Sequence, residues 1–287
     1  MSRFTNALND AREYYEKKNV IKIRPELIHD TWQANIATLE SYFKNKMNEN
    51  FMSDDIINGT MVFTNRKAHK IEIKNIADVI DARTVGKIIS NNLNSAFIKG
   101  KSKEGTIINS VHHLHHLIQF EQATKRKIGS MSSIVEFGGG YGNLARIAKN
   151  VGFHNDYHII DLLLLSCIQY VFLCTAFGEE RISFDRNESM GGTEIVLHQL
   201  SDFDIMKNLH GELFISTWAL SESPRMVYEW VAYRDWFGAN GLLLAYNNLW
   251  KPWQEGEIES TLKNNGWCVE HKAIPFLPGN FYLFATR

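Results

Sequence analysis

Cysteine is scarce in this chain of 287 residues: Cys167, Cys174 and Cys268 are an odd number and form no C-x-x-C. No paired-cysteine motif is present, and a reducing cytoplasm fits. Cys167 and Cys174 stand seven apart on one expected helix face, as buried thiols do. Long hydrophobic runs are missing too. The most apolar stretch, Leu162 to Phe177, contains Ser166 and Gln169 and is too short for a comfortable membrane span. The first residues, Met1 to Asn6, lack the apolar core of a signal peptide. Neither charge dominates: the net charge is −1, which implies no global attraction to a polyelectrolyte. No internal repeat and no nucleic-acid recognition motif is evident. The expectation is a cytoplasmic protein without a membrane span or a nucleic-acid partner. Its hydrophobic content of 44% suits one large domain or two moderate ones.

Charge is unevenly placed, however. Residues 1–130 hold 20 Lys/Arg against 14 Asp/Glu, and residues 131–287 hold 11 against 18. The first stretch reads as mainly helical. Asp10 to Lys18 is a charged helix, and Pro25 opens another that runs through Trp32, Ile36, Leu39 and Tyr42. Ser53-Asp54-Asp55 reads as a cap before a loop holding Gly59, and Ile76 to Asn92 as one helix. Residues 98–105 read as a basic, flexible connection to a helix over Thr106 to Lys125.

That last helix carries His112, His113, His115 and His116, four of the eleven histidines. His112 and His116, at i, i+4, share a face, and His113 and His116 are neighbours at i, i+3. Such pairs suit a divalent metal, a base that takes a proton from substrate, or packed helix residues. No E-x-x-H pattern accompanies them.

The chain is organised around residues 134–142, Ile-Val-Glu-Phe-Gly-Gly-Gly-Tyr-Gly. Leu144, Ile147, Ala148 and Val151 follow with helical spacing. A buried strand, a glycine turn and a helix are expected. Glycine has no Cβ and tolerates positive φ, so a ligand can approach the backbone there and meet the free N–H groups of the helix. Asp161 ends the next strand, Tyr157 to Asp161, nineteen residues beyond Gly142. An acid so placed in a βαβ unit can accept hydrogen bonds from ribose hydroxyls.

Dinucleotide enzymes place a last glycine where this chain has Asn143. The pattern E-x-G-x-G-x-G, from Glu136, Gly138, Gly140 and Gly142, instead resembles motif I of the class I S-adenosylmethionine (SAM) methyltransferases. The resemblance implies that the loop, Gly139 included, passes under the methionine part of SAM and that Asp161 holds the ribose, with Leu162 beside it in the cofactor site. It covers about residues 131–287.

Further elements agree with it. Arg181 to Phe184 reads as an accessory extended piece and Glu194 to His198 as the third strand, with Gln199, Ser201 and Asp202 as candidates for the adenine. The fourth strand, Glu212 to Ser216, leads into a loop with Trp218, Ser221 and Glu222, then a helix from Arg225 to Trp236. Strand ends form the crevice in open α/β sheets, so this loop lines the site. Trp218 is placed to stack on a flat ligand or to pack its indole in the core. Ser221 and Glu222 are helix caps or contacts to substrate hydroxyls. The stretch Phe214 to Glu222 resembles that of bacterial sugar O-methyltransferases.

Gly241 to Tyr246 is the fifth strand, followed by Asn247, Asn248 and Trp250 where an acceptor can sit. A helix over Ile258 to Asn264 and two strands, Trp267 to Ala273 and Phe281 to Thr286, close the chain.

The expected architecture is an α/β, Rossmann-like methyltransferase sheet of seven strands with an antiparallel last strand, at residues 131–287. A helical cap at residues 1–130 contributes acceptor contacts. The resemblance implies methyl transfer from SAM to an oxygen of a sugar hydroxyl, in a nucleotide sugar or a glycan for surface polysaccharides. His113, His116 and Glu222 are the base candidates, with Mg2+ as a possible helper, no assigned protein metal ligand and a homo-oligomer possible. Another small-molecule methyltransferase, a nicotinamide oxidoreductase and a non-catalytic binding scaffold are the rival readings.

Overall fold

The computed structural model of the chain describes residues 2–19, 25–93, 101–184, 194–202 and 205–287. The polar loop expected through Met190 to Gly192 lies outside them.

Strands β1 (Ser133–Phe137) and β2 (Asp156–Asp161) are buried along nearly their whole length. Such continuous apolar runs suit the middle of a parallel sheet covered on both faces. Four more strands pair in parallel: β3 (Ile182–Phe184), β4 (Ile195–Gln199), β5 (Leu213–Thr217) and β6 (Gly241–Asn247). The chain then closes with β7 (Cys268–Ala273) and β8 (Asn280–Thr286), and β8 runs antiparallel to both β6 and β7. The order is β3-β4-β2-β1-β5-β6-β8-β7. Among the described residues the sheet therefore has eight strands rather than seven, because the accessory piece at 182–184 hydrogen-bonds to β4 and extends the edge. β1 has β2 on one side and β5 on the other, so the winding reverses there and a crevice opens beyond the carboxyl ends.

Two helices follow the central strands, α7 (Asn143–Asn150) after β1 and α8 (Leu163–Phe177) after β2. The preceding helices cover them. These are α1 (Arg3–Asn19), α2 (Asp30–Asn45), α3 (Asp55–Met61), α4 (Arg66–Ala77), α5 (Ala82–Ser90) and α6 (Lys101–Thr124). Phe43, Leu114 and Ile76 from these helices join Leu144, Ile147 and Phe172 in one continuous apolar core. α1 packs along α8, while α6 touches α4, α7 and β8.

Several local expectations are corrected. Pro25 starts only a 3-10 turn, Pro25–Leu27, and α2 begins at Asp30. Gly59 lies within α3 instead of a loop. The helix expected over 76–92 is split, since Asp81 accepts from the N–H groups of Arg83 and Thr84 and so starts α5. The helix α6 begins at Lys101, within the stretch read as a flexible connection. Helix α9 (Arg225–Tyr233) stops early, because Asp235, Trp236 and Phe237 adopt positive φ in a turn that buries both aromatic rings. No described helix is long and apolar enough to cross a membrane.

Candidate active site

A cavity of about 380 Å3 opens where β1, β2 and β5 end. Its floor is the glycine turn. Gly138 and Gly140 have φ of +78° and +57°. A Cβ on Gly138 would lie 1.9 Å from the Ala219 Cβ, so the loop after β5 packs directly on that glycine. Over Gly140 a Cβ would meet nothing within 4 Å, which leaves the backbone open to a ligand. Gly139 also lines the cavity; Gly142 does not, and its place is the N-cap of α7 with φ of +93°.

Two acids stand beside this turn. Glu136 is buried, accepts a 2.9 Å hydrogen bond from the Tyr157 hydroxyl, and is pushed up to about 8 by burial. Asp161 accepts from the Leu162 N–H (2.8 Å) and from the Gln169 amide (2.6 Å). Burial raises it to about 7 against those bonds. The same Gln169 nitrogen donates to the Gly140 carbonyl at 3.1 Å, so one amide ties the glycine turn to the acid of β2. Sequence reasoning saw Gln169 only as a polar break in an apolar helix.

Leu27, Ile28, Leu162 and Leu200 wall the cavity and separate it from a smaller one of about 40 Å3. Gln199 lines only the smaller space, and its amide donates to the Tyr14 hydroxyl at 2.5 Å. Ser201 and Asp202 also face that space.

Trp218, just after β5, lines the main cavity with φ of +65°, a conformation uncommon for a bulky residue. Two bonds of 2.6 Å hold it: its backbone N–H donates to the Ala245 carbonyl and its indole N–H to the Asn280 side chain. Glu222 also lines the cavity. It accepts from the Trp32 indole at 3.0 Å, and burial raises its pKa. Neither Ser221 nor Glu222 caps α9, whose N-cap is Pro224. Asn247, Asn248 and Trp250 do not line the cavity.

The histidines divide sharply. His116 is buried outside the cavity lining, with its Nδ1 2.6 Å from the Tyr282 hydroxyl. His113 lines the cavity with Nδ1 against the Asn143 amide at 3.0 Å. His112, which is not among the base candidates named from the sequence, also lines it. Its ring stacks on Phe63 and lies 5.2 Å from the Trp218 ring. Its Nδ1 is 2.5 Å from the Glu72 carboxylate, and its Nε2 is buried without a hydrogen-bond partner among the described residues. Burial pushes Glu72 up and His112 down. Glu72 itself carried no signal in the sequence, being one charge on an amphipathic helix forty residues away. Among the described residues, no group of three or more His, Cys, Asp or Glu is arranged to hold a metal.

No protein-family model matches the chain, and no curated protein does. Solved structures do match in fold. An O-methyltransferase family protein from Burkholderia thailandensis is 11% identical over 77% of this chain and 70% of its own, with a TM-score of 0.43. Magnesium protoporphyrin IX methyltransferase from Synechocystis PCC 6803, with bound SAM, is 12% identical over 76% of this chain and 97% of its own, with a TM-score of 0.41. A small RNA methyltransferase is 11% identical over 61% of this chain and 25% of its own, with a TM-score of 0.46. What the described chain itself shows is an α/β sheet, mostly parallel with antiparallel closing strands, and these structural neighbours are methyltransferases. At such low identity the likeness is one of fold alone and carries nothing about an acceptor.

Proposed function

We propose that the chain is a SAM-dependent methyltransferase that acts on a hydroxyl oxygen of a small molecule. The observation that carries this is the joint lining of one cavity by Glu136, Gly138, Gly140, Asp161 and Trp218. The residues present fit SAM: an open backbone over Gly140, an acid for the ribose diol in Asp161, a second acid for a cationic group in Glu136, and apolar walls at Leu162 and Leu200. When bound, SAM supplies a methyl group on a sulfonium, a good leaving group.

The chain's own part is alignment and proton removal. Residues 1–130 act as the cap, since Leu27, Trp32, Phe63 and His112 complete the cavity wall. His112 is the base the geometry favours. With Glu72 ionised, its carboxylate accepts the Nδ1–H and leaves a lone pair on Nε2, which is buried here and meets the acceptor hydroxyl once the ring turns toward the cavity. The proton moves to Nε2 as the oxygen attacks. Glu222 and Trp32 position the acceptor. Mg2+ assistance has no support among the described side chains.

No Lys or Arg lines the cavity among the described residues. That favours an uncharged acceptor, a glycan sugar included, over a nucleotide sugar, whose diphosphate would meet no cation there. The +6 balance of residues 1–130 therefore serves some purpose other than gripping phosphate at this wall.

The test begins with titration of the full chain with SAM and with NAD. Labelled SAM is then supplied with neutral sugars, phenols, nucleotide sugars and a short RNA, with and without Mg2+. Binding of SAM and label transfer to a neutral hydroxyl compound are expected. Binding of NAD instead, or transfer only to RNA, would overturn the proposal.

A further inference from the structure

Arg146 is among the largest fully buried side chains, 0% exposed, on helix α7 directly behind the glycine turn. Among the described residues no carboxylate pairs with it. Its guanidinium donates to Asn143 Oδ1 (3.0 Å), the carbonyls of Ile89 (3.0 Å) and Asn91 (2.7 Å), and Ser110 Oγ (2.8 Å). All four acceptors are neutral. Burial lowers its pKa to about 10, which still leaves it charged at neutral pH. A buried charge with no opposite charge is costly, and a bound anion relieves that cost.

The route from this charge to the cavity is fixed by hydrogen-bond chemistry. A guanidinium only donates, so the Asn143 oxygen must face Arg146. The Asn143 nitrogen then faces His113 and donates to its Nδ1 at 3.0 Å. A neutral imidazole that accepts at Nδ1 carries its proton on Nε2. Burial, with His112 and Arg146 nearby, holds His113 well below its ordinary pKa and hence neutral. His113 is half-buried at the cavity wall, and its Nε2 has no hydrogen-bond partner among the described residues. It therefore offers the cavity an N–H donor, polarised through Asn143 by a buried cation, beside the positive end of α7. A ring in that tautomer has no lone pair left for a substrate proton, so the base role considered for it does not apply.

We propose that this end of the cavity is an anion subsite that holds the methionine carboxylate of SAM, with His113 as the donor and Arg146 as the charge behind it. The inference rests on the SAM reading above. The carboxylate is the one anionic group SAM carries. The acids beside the turn, Glu136 and Asp161, repel it once they are ionised. The position that lacks the last dinucleotide-motif glycine, Asn143, thus has its own task.

Calorimetric titration of the full chain with SAM and with decarboxylated SAM tests this. The natural chain is expected to bind SAM about tenfold or more tightly than the analogue, the scale of a hydrogen bond to a charged group. His113→Ala should lose about tenfold for SAM while leaving the analogue unaffected, and His113→Gln, which keeps an N–H donor, should recover part of the loss. Equal affinities in the natural chain, or equal losses for both ligands in His113→Ala, would overturn the subsite. Binding of neither ligand would overturn the methyltransferase reading and this inference with it. Ring 15N spectra of the natural chain need no variant: the His113 signal should show Nε2–H and move with SAM but not with the analogue. An Nδ1–H ring would contradict the assignment.

Discussion

Gly138 and Gly140 are two residues apart, share positive φ, and are held to glycine for different reasons. A side chain on Gly138 collides with Ala219, whereas one on Gly140 enters the space a ligand would use. Gly140→Ala is expected to fold at a cost of about 1–2 kcal/mol for the left-handed backbone and to lose SAM binding. Gly138→Ala should destabilise the protein more. Thermal melts with and without SAM separate the two outcomes. The acids give a pH signature. Folding raises Glu136 from 4.5 to about 8 and Asp161 from 3.8 to about 7. The folded chain therefore holds protons the unfolded chain has released. Their contribution to stability is fully present below about pH 4 and is lost as pH rises through 7 to 8. The ligand-free melting temperature should fall over that window. A cation binds the ionised acids, so SAM affinity should rise over the same window with release of protons, readable as a buffer-dependent heat. Affinity independent of pH from 6 to 9 would contradict these assignments. At this scale the cavity lining by Glu136, Gly138, Gly139, Gly140 and Asp161 was legible, because a tight turn and a strand-ending acid are local features, whereas Gly142 serves the helix N-cap instead. Gln169, Arg146 and Glu72 were not: each matters through a partner that only the packed chain brings near.

Helix α6 shows what periodicity can and cannot settle. Its spacing places His112 and His116 on one face, and the structure keeps them adjacent, with ring centroids 4.2 Å apart. Spacing does not say what lies opposite. Helix α4 supplies Glu72 to His112, while β8 supplies Tyr282 to His116, so one face serves two different surroundings. The strands of the sheet were legible almost to their ends, since buried runs bounded by turns need no partner to be recognised. The breaks among the N-terminal helices were harder, because Asp81 ends one helical pattern and starts another without proline or glycine. The α4–α6 pair carries the mechanism's test. Other charged or titratable groups near it are His69, His113, His115 and Tyr282, with Lys272 beyond His115. His112→Ala is expected to lower turnover about 10²–10⁴-fold, with SAM affinity retained. Glu72→Gln should remove the rise of turnover with pH near neutrality, since the carboxyl whose ionisation switches it from donor to acceptor at Nδ1 is then gone. Full turnover in both variants would leave the pair a packing role.

The whole molecule is expected to unfold as a unit. The helices of residues 1–130 share one core with α7 and α8 instead of resting on a finished surface. The ion pairs Lys18–Asp202 and Arg126–Glu212 cross between the two stretches, but at partly exposed positions, where such pairs contribute about 0–1 kcal/mol. Apolar burial, more than the +6 and −7 balance, holds them together. Calorimetry should give a single transition that SAM shifts upward, and high salt should move it little. Two separable transitions, or a stable fragment starting near Ser130 that binds SAM as the full chain does, would make residues 1–130 an appended module instead of part of the site. The cofactor remains the point on which everything else turns. Equilibrium titration of the full chain with SAM, alongside Asp161→Ala, measures it directly. One site per chain is expected, displaced by S-adenosylhomocysteine and not by NAD, and weakened by about 1.5–3 kcal/mol in Asp161→Ala. No SAM binding by the natural chain, or the same affinity in a folded Asp161→Ala, would contradict the account.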